Sequence, residues 1–523
     1  MAKPTLRHFP FWMLLLIAFV FTDTASAARI LVTTGQDGLG NIPGCSLREA
    51  VRAINLQTNS NGCNNGSPQP YGTNDRILFA EGVNNILLNF PANPTVNTAI
   101  FISRRVSIRG NGNNTTRIIG GNTNLILIEN LSSLQLRSIQ LRNAGTALRN
   151  APDTTAELID VRITRQSRRA VINQGIMTMD RVSVFANSGG GIFNGNAIPV
   201  GLIGADGPVS AVPDCEPTCL DPGGDTSTSP TAFPPGDAPA GLSITRSVID
   251  ANGPTACAGI ANGGGLVQGP GGNSLTQEKI VGALTITRSR VVRNRAGNNN
   301  GGGICNASTA LISQSEISGN RAQRGAGIMV GVPLLMPGMT RAFTVVANTT
   351  ISLNRAGIAG GGIFIEPAGG VLTIQYSTIA FNVADGTGAN DAGGLVSNVG
   401  FTTTFRLNAL VGNRSGAAGV AIQDCANITL QGELNFWPVN NTGTCQLAGQ
   451  QNITTGNALL GELGGNGTTD SFSHLPAPNS VLVDVIPSTN VRCSGFDQRQ
   501  FVRPRNGNIN PGIGCDIGAV ERP

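Results

Sequence analysis

The amino-acid sequence predicts an all-β protein that folds as a right-handed, single-stranded parallel β-helix (a solenoid) with an N-terminal amphipathic capping helix. Three observations support this prediction. A six-residue segment that begins and ends with an apolar residue recurs along the chain, as in residues 244–249, 286–291 and 312–317. An asparagine follows soon after each of these copies, and glycine-rich strand openings such as residues 301–305 and 325–329 come next. Self-similarity at periods of roughly 20–50 residues is the signature of a solenoid.

The recurring asparagines predict a stack of similar turns. Asparagine tolerates the left-handed backbone conformation that a sharp turn requires. In stacked turns, each side-chain amide can donate to the neighbour on one side and accept from the neighbour on the other, which forms a ladder. The predicted ladder contains Asn143, Asn187, Asn252, Asn294, Asn320, Asn354, Asn382 and Asn413, with Gln166 in the same column.

The first residues have the pattern of a secretory signal peptide. Lys3 and Arg7 precede the apolar run 9–21, and small residues then mark a cleavage site, which predicts removal of residues 1–27. The apolar run is shorter than the ~20 residues that a membrane-spanning helix needs. We therefore expect an exported protein without a membrane span after cleavage.

Three segments are expected after the signal peptide. They are an N-terminal cap at 28–85, a parallel β-helix at 86–455 and a C-terminal region at 456–523. The proline- and glycine-rich residues 197–240 predict an insertion between two coils, because they have too little apolar content to form a core of their own.

The strongest helix signal lies in residues 45–55. Ser46 and Glu49 fit a capping box, in which each side chain satisfies a free backbone N–H of the other residue. Four apolar residues fall on one helical face, namely Leu47, Ala50, Val51 and Ile54. A solenoid needs a cap with a polar outer side, so we expect this helix to cover the first coil.

Ten cysteines, an even number, predict disulfide bonds in an oxidising compartment. Proximity along the chain suggests four pairs and leaves two residues over, although the sequence does not determine the connectivity. The pairs are Cys45 with Cys63, Cys215 with Cys219, Cys425 with Cys445 and Cys493 with Cys515, which leaves Cys257 and Cys305. No metal site and no cofactor is predicted, because CxxC pairs are missing and His474 is the only histidine after the predicted cleavage site.

Several motifs resemble known families. Residues 45–50, Cys-Ser-Leu-Arg-Glu-Ala, resemble the signature of the CSLREA domain at the N-terminus of exported bacterial β-helix proteins. The C-terminal region resembles the choice-of-anchor Q domain, and the central repeats resemble pectin-lyase-like β-helices and the repeats of polymorphic outer-membrane proteins. The C-terminal resemblance rests on residues 457–461, 497–499, 503–504 and 515–521. It implies an extracellular or bacterial cell-surface location and no particular reaction.

Many polysaccharide lyases and hydrolases are parallel β-helices, so an enzymatic function is a candidate for this fold. A hydrolase needs carboxylates that converge, but Asp160 and Asp180 fall in different columns of the repeat. Residues 385–391 could bind calcium or form a solvated turn. A column of hydroxyl residues is interpreted as an internal stack, because no base adjoins it; its members are Ser247, Ser289, Ser315, Thr349 and Ser377. No catalytic residue is predicted.

An arginine follows the ladder asparagine in four coils, namely Arg295, Arg321, Arg355 and Arg414. Stacked coils would align them as a stripe, interrupted by Val383. Guanidinium groups suit carboxylates and sulfates, so we expect either an acidic-polysaccharide site or a solvated turn. The mild net charge of +5 gives no argument for nucleic acid.

The expected function is therefore that of a non-enzymatic, adhesin-like or glycan-binding protein, which we expect to be a monomer. Two alternatives remain open. One is a polysaccharide lyase or hydrolase, and the other is a structural spacer or passenger.

Overall fold

A computed structural model of the chain shows one continuous 32-stranded sheet that winds into a parallel β-helix. The structure describes residues 27–38, 43–88, 97–121, 124–195, 240–263, 282–331, 342–366, 370–388, 390–416, 419, 421–438, 444–507 and 513–523. The predicted signal peptide and the predicted insertion lie outside these residues except for Ala27 and Ala240. No helix in the described ranges is long and apolar enough to cross a membrane.

Each coil contributes strands to three faces, A, B and C, in chain order. The strands confined to face A are Arg29–Val32, Asp75–Phe79, Val106–Arg109, Ile176–Asp180, Ala240–Thr245, Gly282–Thr287, Thr309–Ser313, Phe343–Ala347, Val371–Gln375 and Cys445–Ala448. Those confined to face B are Asn85–Leu88, Arg117–Gly120, Ser183–Phe185, Val248–Asp250, Arg290–Val292, Glu316–Ser318, Thr350–Ser352, Thr378–Ala380 and Ala409–Val411. Two strands run through both faces, Ser133–Arg142 and Thr155–Thr164.

Face C completes each coil. Its strands are Thr98–Ile102, Ile126–Asn130, Thr146–Asn150, Val171–Asn173, Ile192–Asn194, Ile260–Asn262, Ile304–Asn306, Ile328–Val330 and Ile363–Ile365. Two strands continue from face C into face A, Leu395–Arg406 and Cys425–Gln431. A small edge sheet leaves the corner between faces B and C, with strands Arg321–Arg324, Arg355–Ala359, Val383–Ala384, Arg414–Ser415 and Ala421–Ile422.

Strict register between coils places like side chains above one another. On face A, Ile286 pairs with Ile312, Ile312 with Val346 and Val346 with Ile374. All four are completely buried. The alternation of β-branched residues with polar ones therefore directs one file of side chains into the core, where each stabilises the fold by about 1.5–3 kcal/mol.

The corner between faces B and C contains an asparagine ladder. Each Nδ2 donates to the Oδ1 of the asparagine in the next coil at 2.8–3.0 Å, along Asn187, Asn252, Asn294, Asn320, Asn354, Asn382 and Asn413. The main-chain N–H of Gln166 donates to Oδ1 of Asn187 at 2.9 Å. Because all these residues are buried, the ladder satisfies polar groups that water does not reach.

Asn143 lies outside this ladder, contrary to the prediction. It follows Leu141 by two positions, whereas Asn187 follows Val184 by three, so Ala144 occupies the column. Ala144 contributes only its main-chain N–H, which donates to Oε1 of Gln166 at 3.1 Å. The exposed Asn143 has φ +57°, in the left-handed region.

The left-handed turn is formed by the residue before the ladder asparagine. Ala186, Ala251 and Phe381 have φ of +53°, +51° and +57°, and none of the ladder asparagines has a positive φ. The prediction that the asparagine itself takes this conformation is therefore wrong. The turn residue redirects the chain, and the asparagine that follows points inward, where its amide reaches the neighbouring coils.

Polar columns also line the other two corners. A second asparagine ladder, which was not predicted from the sequence, lies between faces C and A. Its Nδ2–Oδ1 distances are 2.7–2.8 Å, and its members are Asn130, Asn150, Asn173, Asn194, Asn262 and Asn306. Between faces A and B, the main-chain N–H of each hydroxyl residue donates to the hydroxyl of the next coil at 3.1–3.4 Å along Ser247, Ser289, Ser315, Thr349 and Ser377.

The helix Leu47–Leu56 packs on the first coils with its apolar face buried. Oγ of Ser46 accepts from the main-chain N–H of Glu49 at 3.2 Å, which is one half of the predicted capping box. The Glu49 carboxylate accepts instead from Oγ of Ser60 at 2.5 Å and Nδ2 of Asn61 at 2.8 Å. Glu49 thus fixes the loop after the helix rather than the residue before it.

Four disulfides join Cys45 to Cys63, Cys257 to Cys305, Cys425 to Cys445 and Cys493 to Cys515. Cys215 and Cys219 lie outside the described residues. The bond between Cys257 and Cys305 links two neighbouring coils. Pairing by proximity along the sequence had left these two cysteines without an assigned partner.

The C-terminal segment folds back along face B. It forms two short antiparallel pairs, Leu460–Gly464 with Ser473–Pro476 and Ile486–Pro487 with Gly514–Cys515. The main-chain N–H of Phe472 donates to Oε2 of Glu316 at 3.0 Å, and that of Ala519 donates to Oγ1 of Thr378 at 3.1 Å. The segment therefore buries outward side chains of face B that upstream coils leave partly exposed.

Candidate functional site

The four predicted arginines lie in one exposed file beside the asparagine ladder. Arg295 is opposite Arg321, Arg321 opposite Arg355, and Val383 lies between Arg355 and Arg414. We call Arg295, Arg321, Arg355 and Arg414 the arginine stripe. The main-chain N–H of Arg321 donates to the carbonyl of Asn294 at 2.8 Å, so the ladder holds the register of the stripe.

The charges of the stripe are only partly compensated. Arg355 forms an ion pair with Asp385, in which Nε donates to Oδ2 at 2.8 Å and Nη2 lies 2.7 Å from Oδ1. The guanidinium groups of Arg295, Arg321 and Arg414 form no ion pair with any residue in the described part of the chain. Adjacent strands are about 4.8 Å apart, so like charges repel along this file unless an anion lies against it.

In residues 385–391, for which calcium binding and a solvated turn were the two alternatives, the carboxylates of Asp385 and Asp391 contact protein groups. Asp385 pairs with Arg355, and Oδ2 of Asp391 accepts from the main-chain N–H of Gly388 at 2.7 Å. Within the described ranges, no three His, Cys, Asp or Glu residues are close enough to share a metal ion. The geometry here is that of a turn tied down by its own carboxylates.

The two candidate carboxylates of a hydrolase contact different protein groups. Asp180 lies opposite Ile159 on face A and pairs with Arg246 at 2.6 Å. Asp160 occupies the corner between faces A and B, where its Oδ2 accepts from Oγ of Ser138 at 3.0 Å. Asp180 also pairs with Arg181, and Oδ1 of Asp160 also accepts from Nδ2 of Asn113, so each carboxylate has protein partners of its own.

A serine–histidine pair that the sequence did not indicate joins face B to the C-terminal segment. Nε2 of His474 lies 2.7 Å from Oγ of Ser352, and Nδ1 lies 2.7 Å from the carbonyl of Gly461. A carbonyl only accepts, so Nδ1 bears the proton and Nε2 accepts from the hydroxyl. Burial lowers the pKa of His474, and Ser352 is completely inaccessible. The pair therefore fastens the segment and offers no substrate access.

The C-terminal motif residues converge on a buried charge network. Arg499 pairs with Asp497 at 2.8 Å, Arg503 pairs with Glu521, and all four side chains are at most 1% exposed. The main-chain N–H of Glu521 donates to Oδ2 of Asp497 at 3.0 Å. Burial and the nearby Glu521 raise the pKa of Asp516 to about 7. The network links residues 24 positions apart and stabilises the docked segment rather than a ligand site.

The solved structures include one similar protein. A crystal structure of pectate lyase Pel9A superposes with a TM-score of 0.41 at 10% sequence identity, and the match covers 96% of this chain and 98% of that chain. No family model and no curated protein matches the sequence.

Proposed function

We propose that this chain is a secreted or surface-associated β-helical protein that binds an acidic glycan along its arginine stripe without catalysing a reaction. The observation that supports this proposal is the register of the stripe. Hydrogen-bonded coils hold Arg295, Arg321, Arg355 and Arg414 in one exposed file. A chain of carboxylates or sulfates lying along that file relieves the repulsion between the arginines.

Guanidinium chemistry favours this ligand class. Arginine donates two parallel N–H bonds to a carboxylate or sulfate and stays protonated at any physiological pH. Because the main chain under the stripe is fixed by the buried ladder, binding orders only the arginine side chains, which lowers its entropic cost.

The proposed location is extracellular or at a bacterial cell surface. Four disulfides suit an oxidising compartment. The resemblance of residues 45–50 to the CSLREA signature points to the same location. So does the resemblance of residues 457–461, 497–499, 503–504 and 515–521 to the choice-of-anchor Q domain. A spacer or passenger without a ligand, and a polysaccharide lyase or hydrolase, are the outcomes against which the proposal is tested.

The test compares charge-matched variants of the full chain on immobilised heparin and alginate. Arg295→Ser/Arg321→Ser removes two adjacent arginines of the stripe, and Arg165→Ser/Arg406→Ser removes two exposed arginines elsewhere. We expect the first variant to elute at clearly lower salt than the wild type and the second to elute close to it. Equal elution of the two variants contradicts the proposal, and no retention of the wild type favours the spacer. Release of shorter oligosaccharides from soluble alginate or polygalacturonate identifies an enzyme.

A further inference from the structure

A second basic site lies on face A, at the N-terminal end of the β-helix. An open groove of about 970 Å³ runs over the outer side of the first coils. The groove is lined by five arginines and only two acidic residues, Asp75 and Glu157. The arginines are Arg29, Arg76, Arg105, Arg109 and Arg137. The groove is separate from the arginine stripe, which begins at Arg295 on a different corner of the coil.

The strand register explains why the arginines cluster. Arg29 pairs with Arg76 in one outward column. In the next outward column, Leu78 pairs with Arg109 and Arg109 with Arg137. Consecutive coils are about 4.8 Å apart, and the two columns lie about 7 Å apart because outward residues alternate along a strand. Positive charge therefore spreads over four successive coils.

The arginines of the second column are free to bind. Arg109 and Arg137 are exposed, and neither forms an ion pair with a residue that the structure describes. Two like charges in register on adjacent strands destabilise the sheet unless an anion bridges them. The arginine stripe likewise has arginines in register on adjacent strands, but here they lie on a concave surface.

A hydrogen-bonded chain of polar side chains lies beside these arginines on the groove floor. Oγ of Ser107 donates to Oε1 of Gln135 at 2.8 Å, and Nε2 of Gln135 donates to Oε2 of Glu157 at 2.5 Å. Gln135 thereby holds the Glu157 carboxylate in place at the end of the groove that is farther from Arg29. Asp75 is completely buried and accepts from the main-chain N–H of Ala28 at 3.0 Å, so it is not available to a ligand.

We propose that this groove binds an acidic oligosaccharide, with a carboxylate or sulfate bridging Arg109 and Arg137 and sugar hydroxyls bonded along Ser107, Gln135 and Glu157. Basic and hydroxyl-binding groups in adjacent columns match a ligand that has both charges and hydroxyls. The exposed side chain of Ile176, which lines the groove, suits the C–H face of a sugar ring. The groove-lining residues, all within the described part of the chain, include no tyrosine or tryptophan on which a nucleic-acid base could stack.

The experiment measures binding of short polygalacturonate and heparin oligosaccharides to the full chain, with neutral dextran oligosaccharides for comparison. Arg109→Ser and Arg137→Ser are compared with Arg406→Ser, an exposed arginine in the same outward column near the other end of the β-helix. We expect each groove variant to bind about tenfold more weakly, the size of one lost charge-assisted bond, and Arg406→Ser to bind as the wild type does. Preference for one oligosaccharide distinguishes carboxylate from sulfate recognition.

The variants separate this inference from the proposed function. If Arg295→Ser/Arg321→Ser retains oligosaccharide binding and Arg109→Ser/Arg137→Ser loses it, the groove is the tighter site and the inference holds. Binding that is lost only in the stripe variant overturns the groove and leaves the proposed function intact. Binding that is unchanged in both variants overturns both. Gln135→Leu gives a further readout: weaker binding of oligosaccharides but unchanged binding of inorganic sulfate is expected, and equal weakening of both contradicts a role in hydroxyl recognition.

Discussion

Asn413 donates both its main-chain N–H and its Nδ2–H to a single atom, Oδ1 of Asp424, each at 2.8 Å. Asp424 takes the place that an asparagine of the next coil would occupy. A ladder in which every amide donates forward must end on a group that only needs to accept, and a carboxylate is such a group. Ending the ladder on a carboxylate places a negative charge out of contact with water, and this burial raises the pKa of Asp424 to about 7.

Asp424→Asn is expected to reduce the loss of stability that the protein shows between pH 5 and pH 8. An aspartate whose folded-state pKa is raised stabilises the fold below its unfolded pKa, near 4, and loses that contribution as pH rises to about 7. The neutral amide keeps the acceptor for Asn413 without the charge, but its N–H groups need acceptors of their own, at a cost that is the same at both pH values. Urea denaturation should therefore show that the free energy of unfolding falls between pH 5 and pH 8 by roughly 2–4 kcal/mol less in the variant than in the wild type. Asp516, whose pKa is raised in the same way, provides a residual slope in both proteins.

Asn320→Ala is expected to destabilise the coils by about 3 kcal/mol, because it leaves buried donors unsatisfied. Oδ1 of Asn320 accepts both the main-chain N–H and the Nδ2–H of Asn294, at 2.9 and 3.0 Å. The control is Asn143→Gly, since Asn143 is exposed and left-handed, a conformation that glycine adopts freely. Chemical denaturation should show a large shift for the first variant and almost none for the second; similar shifts would mean that the ladder adds nothing beyond a turn preference.

Arg503→Ala is expected to release the C-terminal segment from face B. Removing this guanidinium leaves the carboxylate of Glu521 buried without its partner, at a cost of about 3–5 kcal/mol. Arg492→Ala is the matched control, because Arg492 and Glu433 form an ion pair whose side chains are each 37% exposed and which contributes at most about 1 kcal/mol. Limited proteolysis should cleave residues 460–523 faster in the first variant only. Equal protection in both variants contradicts the role assigned to the network.

The contact between Ser352 and His474 is expected to weaken in acid. A histidine whose folded-state pKa is lowered stabilises the fold above its unfolded pKa of about 6.5 and loses that contribution as pH falls through this value. Amide exchange of residues 472–476 should therefore accelerate between pH 7.5 and pH 5, beyond the intrinsic change. His474→Gln, which stays neutral, should remove this excess. An excess that persists in the variant assigns the effect to other groups.

The β-helix could be predicted because its sequence pattern repeats locally, whereas the contacts between distant parts of the chain could not be predicted. Asn294, Asn320 and Asn354 are each followed by Arg-Ala, so their column could be recognised in the sequence. Asn143 differs from them by one position, which is enough to move a side chain out of a corner. The second ladder had an equally clear signal, the asparagine that closes six consecutive strands of face C, from Ile126–Asn130 to Ile304–Asn306.

The C-terminal contacts left no comparable signal. Ser352 and His474 are 122 residues apart, and no sequence pattern near either residue predicts their contact. The motif residues Asp497, Arg503 and Glu521 were recognised by resemblance, but their convergence depends on how the segment folds back. The groove was missed because its arginines come from four coils with irregular spacing, and only the register of the strands brings them to one surface.

The path of the C-terminal segment also sets a time order for folding. Each coil contacts mainly its neighbours, so coils can form one after another as the polypeptide is delivered. The bond between Glu316 and Phe472 joins positions 156 residues apart, and it must wait until most of the polypeptide has arrived. During that interval Thr350, Ser352 and Thr378 face solvent, and the late-arriving segment seals them in a final step.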